Sequence, residues 1–119
     1  EYENITITAD KMQLKRVIKN LIQNAILHSD TSKNIDIKVV KTTTDVNISV
    51  IDHGKGISKK DIEMVFKKYY STAKKFRKIG TGLGLYLAQQ IAKSHGGEIT
   101  VNSVEGQGTE FCIRIPNTK

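Results

Sequence analysis

Three stretches of this sequence hold residue types that could do chemistry. In Gly80-Thr81-Gly82-Leu83-Gly84-Leu85, glycines alternate with other residues, and an apolar helical pattern follows at once: Leu85, Ala88, Ile91, Ala92. Glycine allows positive φ and close backbone approach. At a helix start, free N–H groups and the helix dipole favour an anion. The stretch reads as a phosphate cradle or as a plain glycine-rich helix entry. In Asp52-His53-Gly54-Lys55-Gly56-Ile57 a carboxylate ends an apolar alternation and two spaced glycines follow. Such a carboxylate can accept from an amino group while the glycines let a flat ligand lie against the backbone. The same residues also suit an Asx turn. Asn20 and Asn24 lie one helical turn apart, and His28 continues their line. Asparagine is a poor helix-interior residue because its amide competes with the backbone. Two of them on one face point either to surface polarity and helix–helix hydrogen bonding or to a functional face.

Charge adds a fourth signal. The formal net charge is +7 over 119 residues, and Lys67, Lys68, Lys74, Lys75, Arg77 and Lys78 crowd the segment before the glycine motif. Such a segment is a solvated loop or a positive lid over a polyphosphate. Phe66, Tyr69 and Tyr70 among these lysines could stack on bases. They form one local loop, however, and not an RNA-binding sheet signature.

Several chemistries are excluded. His28, His53 and His95 stand far apart, and with Cys112 they give no zinc spacing. There is no GxSxG elbow and no GxxxxGK[ST]. The glycine motif follows no strand, as a dinucleotide fingerprint would require. No apolar run approaches the roughly 20 residues of a membrane span. With 38% apolar and 26% charged residues the composition is that of a globular domain. One cysteine forms no internal disulfide, which suggests a reducing compartment. The start at Glu1 without a Met suggests a domain cut from a longer protein.

The positioning elements follow from periodicity. Ile5 and Ile7 alternate with threonines as a short strand. Asp10, with Gln13 three residues on, caps a helix over residues 12–27 whose stripe is Leu14, Val17, Ile18, Leu21, Ile22, Ala25 and Ile26. Ile35, Ile37, Val39 and then Val46, Ile48, Val50 predict an antiparallel hairpin ending at Asp52. Ser58, with Asp61, caps a helix over residues 59–65. The glycine motif opens a helix to His95, stopped by Gly96. Two strands, residues 98–103 and 109–115, flank Gly106-Gln107-Gly108. Cys112 has the opposite parity to Phe111, Ile113 and Ile115 and reads as structural.

Taken in order, these motifs resemble the catalytic and ATP-binding domain of bacterial sensor histidine kinases, in the superfamily shared with gyrase, Hsp90 and MutL. The resemblance covers essentially the whole chain. Asn20-Leu21-Ile22-Gln23-Asn24-Ala25 is similar to the family's N box, and residues 52–57 to its first glycine box. Residues 66–70 resemble its F box, residues 80–85 its second glycine box, and Gly106-Gln107-Gly108-Thr109 its last.

The resemblance implies roles. Asp52 would bind the adenine amino group, with Thr109 in support, often through water. Gly54 and Gly56 would lie along the base, and Ile22, Ile57 and Leu85 would wall its slot. Asn24, assisted by Asn20, would hold Mg²⁺ on the phosphates of ATP. Gly80, Thr81, Gly82, Leu83, Gly84 and Leu85 would cradle those phosphates. Residues 66–79 would form a mobile lid bringing Tyr70, Ser71, Thr72 and Lys74 to the nucleotide. Either Lys68 or Lys74 would reach the γ-phosphate. His28 stands where relatives carry an aromatic, and Leu27 where many carry a basic residue.

One position separates subfamilies. Gyrase-like ATPases and related serine kinases carry a Glu four residues before the metal-binding Asn; here that position is Asn20. An amide accepts no proton at neutral pH, so water or a serine hydroxyl is not activated. An imidazole nucleophile needs no such base.

The sequence therefore predicts one α/β sandwich over residues 1–119, a mixed sheet of about five strands with three main helices on one face. It would bind Mg-ATP and donate the γ-phosphate to a histidine on its own dimerisation domain, absent from this chain, for onward transfer to a response regulator. The isolated domain would bind ATP with little turnover. The resemblance places it in the cytoplasm, with no nucleic-acid partner and no membrane contact of its own, and leaves anchoring of the full-length protein open. An anti-sigma-type serine/threonine kinase and a non-catalytic ATP-binding regulatory module are the alternatives.

Overall fold

The computed structural model describes residues 10–28, 34–67 and 84–116, with backbone only at Leu27 and His28. The elements are α1 (Lys11–His28), β1 (Ile35–Lys41), β2 (Asp45–Asp52), α2 (Lys59–Ile62), α3 (Gly84–Ser94), β3 (Glu98–Val104) and β4 (Gly108–Pro116). Among the described residues the sheet has four strands in the order β1-β2-β4-β3, every pairing antiparallel. The expected sheet was mixed, with about five strands. The extra strand read at Ile5 and Ile7 lies outside the described residues.

Alternation in the sequence becomes a ladder of rungs across the sheet. Val46 pairs with Ile115, Ile48 with Ile113 and Val50 with Phe111, all buried. β3 extends two of these rungs with Ile99 and Val101. Val17, Leu21 and Ala25 of α1 and Ala88 and Ala92 of α3 close the core over this face. Each fully buried large side chain contributes about 1.5–3 kcal/mol relative to exposure. Cys112 lies on the other face, between Ser49 and Thr100, as its parity required.

The helix ends follow their caps. Asp10 Oδ1 accepts from Gln13 N–H at 3.0 Å, which starts α1. Ser58 Oγ accepts from Asp61 N–H at 3.2 Å and starts α2. The helix expected to reach Val65 stops at Ile62. Bonds from Met64 N–H to Asp61 O and from Lys67 N–H to Met64 O tighten the chain into turns. Those turns bury Val65 in the core and set Phe66 edge-on against Phe111, ring centroids 6.1 Å apart. Phe66, read as the start of the lid, is half-buried and packs against the core. α3 closes with a Schellman motif: Gly97 N–H bonds Ala92 O at 2.9 Å, Gly96 N–H bonds Lys93 O at 3.0 Å, and Gly96 has φ +80°.

Two side chains fasten the helices at points far from the caps. Gln89 of α3 donates through Nε2 to Ile99 O (2.9 Å) and accepts through Oε1 from Ile99 N–H (2.7 Å). It thus occupies the outer side of β3, which among the described residues is an edge strand whose backbone groups at Ile99 would otherwise be unpaired. We expect Gln89→Ala to lower stability by about 1–3 kcal/mol in urea titration, because two partly buried backbone groups lose their partner. His95 bonds Ile91 O through Nδ1 (2.9 Å) and accepts from Asp10 N–H at Nε2 (3.0 Å). This joins the end of α3 to the start of α1. A carbonyl only accepts, so the ring carries its proton on Nδ1.

Candidate functional site

The fourth rung of the sheet breaks the apolar pattern. It reads Ile35, Asp52, Thr109, Ser103 across β1, β2, β4 and β3. Asp52 is 2% exposed and Thr109 3%, so two polar groups end the ladders of the central strands inside the domain. Burying them without partners would be costly. Asp52 Oδ1 accepts from Gly54 N–H at 2.9 Å, forming the Asx turn anticipated as one reading of the motif. Its second oxygen, Oδ2, has no protein partner among the described residues and keeps its capacity to accept.

Ser103 ties this rung to its surroundings. Its Oγ accepts from Ile57 N–H at 2.7 Å, contacts Thr109 Oγ1 at 2.8 Å and donates to Gly108 O at 2.9 Å. The loop after Asp52 is thereby fixed to the β3–β4 turn, and Gly106 N–H adds a bond to Lys55 O at 2.7 Å. The glycines serve this docking. At Gly56, φ is +77° and a Cβ would lie 2.5 Å from Val104 O. At Gly108, φ is +130° and a Cβ would lie 2.1 Å from Asp52 O. Gly56 is thus required by the backbone of β3. Ile57 is buried in the core, whereas Ile22 and Leu85 are half-buried at its margin.

The asparagine line lies on α1, and one of its members reaches α3. Asn20 donates from Nδ2 to Gly84 O at 3.2 Å, at the first residue of α3. Because that carbonyl only accepts, the nitrogen is assigned and Asn20 Oδ1 remains an acceptor. Asn24, one turn on, is half-buried, and its Nδ2 is shielded from solvent. An amide oxygen is a hard, neutral donor of the kind that suits a cation keeping water and phosphate oxygens, and Asn20 and Asn24 each carry one. Among the described residues, no three His, Cys, Asp or Glu side chains gather to hold a metal ion.

His53 belongs to the rim: its Nε2 pairs with Asp36 Oδ2 at 2.9 Å, both exposed. A shallow cleft of about 350 Å³ nearby is lined by Asp52, Thr109 and Ser103 of the rung together with Ile51, His53, Asn102 and Glu110. It includes none of Asn20, Asn24 and Gly84. Lys68, Tyr70, Ser71, Thr72, Lys74, Gly80, Thr81, Gly82 and Leu83 lie outside the described residues, as does the side chain of His28. Ser103 was not singled out in the sequence. Its parity with Ile99 and Val101 is the one signal that places it on the inner face.

Comparisons with known proteins agree with this fold. The model of the family described as histidine kinase-, DNA gyrase B-, and HSP90-like ATPase matches residues 9–119. Sensor histidine kinase WalK of Bacillus subtilis is 36% identical over 95% of this chain, and ZraS of Salmonella typhimurium 40% over 92%. Sporulation kinase C of Bacillus subtilis is 35% identical over 98%. The chain spans 19%, 23% and 26% of the lengths of these relatives, respectively. The solved catalytic domain of histidine kinase ThkA superposes with a TM-score of 0.85 at 32% identity, covering 100% of this chain and 77% of that one. Among the described residues no helix is long and apolar enough to cross a membrane.

Proposed function

Because the chain belongs to the histidine kinase-, DNA gyrase B-, and HSP90-like ATPase family, we propose that residues 1–119 form the catalytic domain of a sensor histidine kinase. It binds Mg-ATP and presents the γ-phosphate to a histidine on a separate dimerisation domain. A response regulator is the onward acceptor. The observation that carries this reading is the buried Asp52 carboxylate, register-paired with Thr109, with one oxygen held by Gly54 and the other left to accept.

In this reading Asp52 Oδ2 and Thr109 Oγ1 accept from the adenine amino group. Asn24 and Asn20 contribute amide oxygens to Mg²⁺, which when bound neutralises phosphate charge. Gly84 and the N–H groups after it face the phosphates at the start of α3. Asn20 positions that helix start through its bond to Gly84 O. It offers no proton acceptor to water, so hydrolysis stays slow and positioning is the domain's main contribution.

Calorimetry of the 119-residue chain with Mg-ATP tests the proposal, together with a radiolabelled-ATP turnover assay. We expect saturable binding, little hydrolysis and no label on His28, His53 or His95. Absence of binding would favour a role without nucleotide, and phosphorylation of a protein serine would move the domain to the serine-kinase branch.

A further inference from the structure

We infer that Ser103 sets which nucleobase the site accepts, by fixing the direction of the Thr109 hydroxyl; this rests on the adenine reading above. Ser103 Oγ has one proton and two lone pairs. Its three contacts are Ile57 N–H, Gly108 O and Thr109 Oγ1. The amide can only donate, so it takes one lone pair. The carbonyl can only accept, so it takes the proton. One lone pair remains for Thr109, whose hydroxyl must therefore donate to Ser103.

That donation uses the only proton Thr109 has. Its Oγ1 then presents lone pairs alone, next to a carboxylate that also only accepts, on the same face of the sheet. Two acceptors on one rung select a base edge that donates. The exocyclic amine of adenine does so, whereas the O6 carbonyl of hypoxanthine or guanine meets lone pairs on both sides. Ser103 reads no base itself. It is a positioning residue whose effect is to deny Thr109 a proton for the ligand.

The experiment compares ATP with inosine triphosphate, which replaces the amine by a carbonyl, both as Mg²⁺ complexes titrated into the 119-residue chain. Ser103→Ala frees the Thr109 proton to turn toward a carbonyl. We expect the preference for ATP over inosine triphosphate to fall by about tenfold, the worth of one hydrogen bond whose sense is reversed. Loosening of the Ile57 loop would weaken both ligands together and leave the ratio alone, so the ratio separates polarity from mere structure. Ser103→Thr, which keeps the hydroxyl, should restore the wild-type ratio.

If Ser103→Ala does not fold, Thr109→Val supplies the reading. Removing the acceptor should weaken ATP and spare inosine triphosphate. An unchanged ratio in Ser103→Ala, or in Thr109→Val when the first variant is unfolded, overturns the inference while the ATP reading stands. A wild-type chain that binds neither nucleotide overturns both.

Discussion

Asp52→Asn should lower affinity for Mg-ATP by about 100-fold or more and leave the fold in place. The asparagine Oδ1 still accepts from Gly54 N–H, so the Asx turn that shapes the loop survives. Its NH₂ replaces the oxygen left for the ligand and turns a donor toward the donating amine. A hydrogen bond to a charged group contributes about 1.5–3 kcal/mol. Its replacement by two opposed donors adds a penalty of similar kind. Calorimetry gives the affinity, and a urea midpoint close to wild type shows that folding is intact. Unchanged affinity would leave Asp52 as a turn residue only.

Gly108→Ala should act on fold and site together. The new Cβ would meet the Asp52 carbonyl oxygen at 2.1 Å and the His53 Cα at 3.0 Å, at a φ of +130°. Backbone cannot yield as a flexible side chain does. Strain and overpacking together should cost about 2–4 kcal/mol. Because the displaced atom belongs to Asp52, nucleotide binding should weaken even where the protein remains folded. Gly106→Ala is the control. Its φ is +86°, but a Cβ there meets nothing within 4 Å. It should cost only the conformational strain, about 1–3 kcal/mol, and leave binding unchanged. Urea titration of the two variants, with calorimetry on each, checks the contrast.

What the sequence made legible was whatever depends on local period or local capping. The alternation of β2 and β4, the stripe of α1, the caps at Asp10 and Ser58 and the stop at Gly96 are each decided within a few residues. What remained hidden depends on contacts across the chain. Ser103 meets Ile57 over 46 positions, and Asp10 meets His95 over 85. No period or motif reports such pairings. Phe66 illustrates the same limit. Its basic, aromatic surroundings suggested a lid, but an edge-on contact with Phe111 packs it, half-buried, against the core. Gly56 and Gly108 were readable as glycines of a motif, yet the atoms that require them belong to a carbonyl of β3 and one of β2. Among the described residues the sheet has four strands against the five or so expected, and the segment around Ile5 and Ile7 lies outside them.

The place of Asp52 and Thr109 at the ends of two core ladders ties this pair to global stability. Their strands cannot slip by one residue without turning Val50 and Phe111 out to solvent, so the Asp52–Thr109 pair persists as long as the core does. A nucleotide held there would therefore favour the folded state over the unfolded chain. At a free concentration 100 times the dissociation constant, this linkage is worth about 2.7 kcal/mol. Nucleotide supply in its surroundings would then set how long this domain survives thermal opening, independently of any phosphate it transfers.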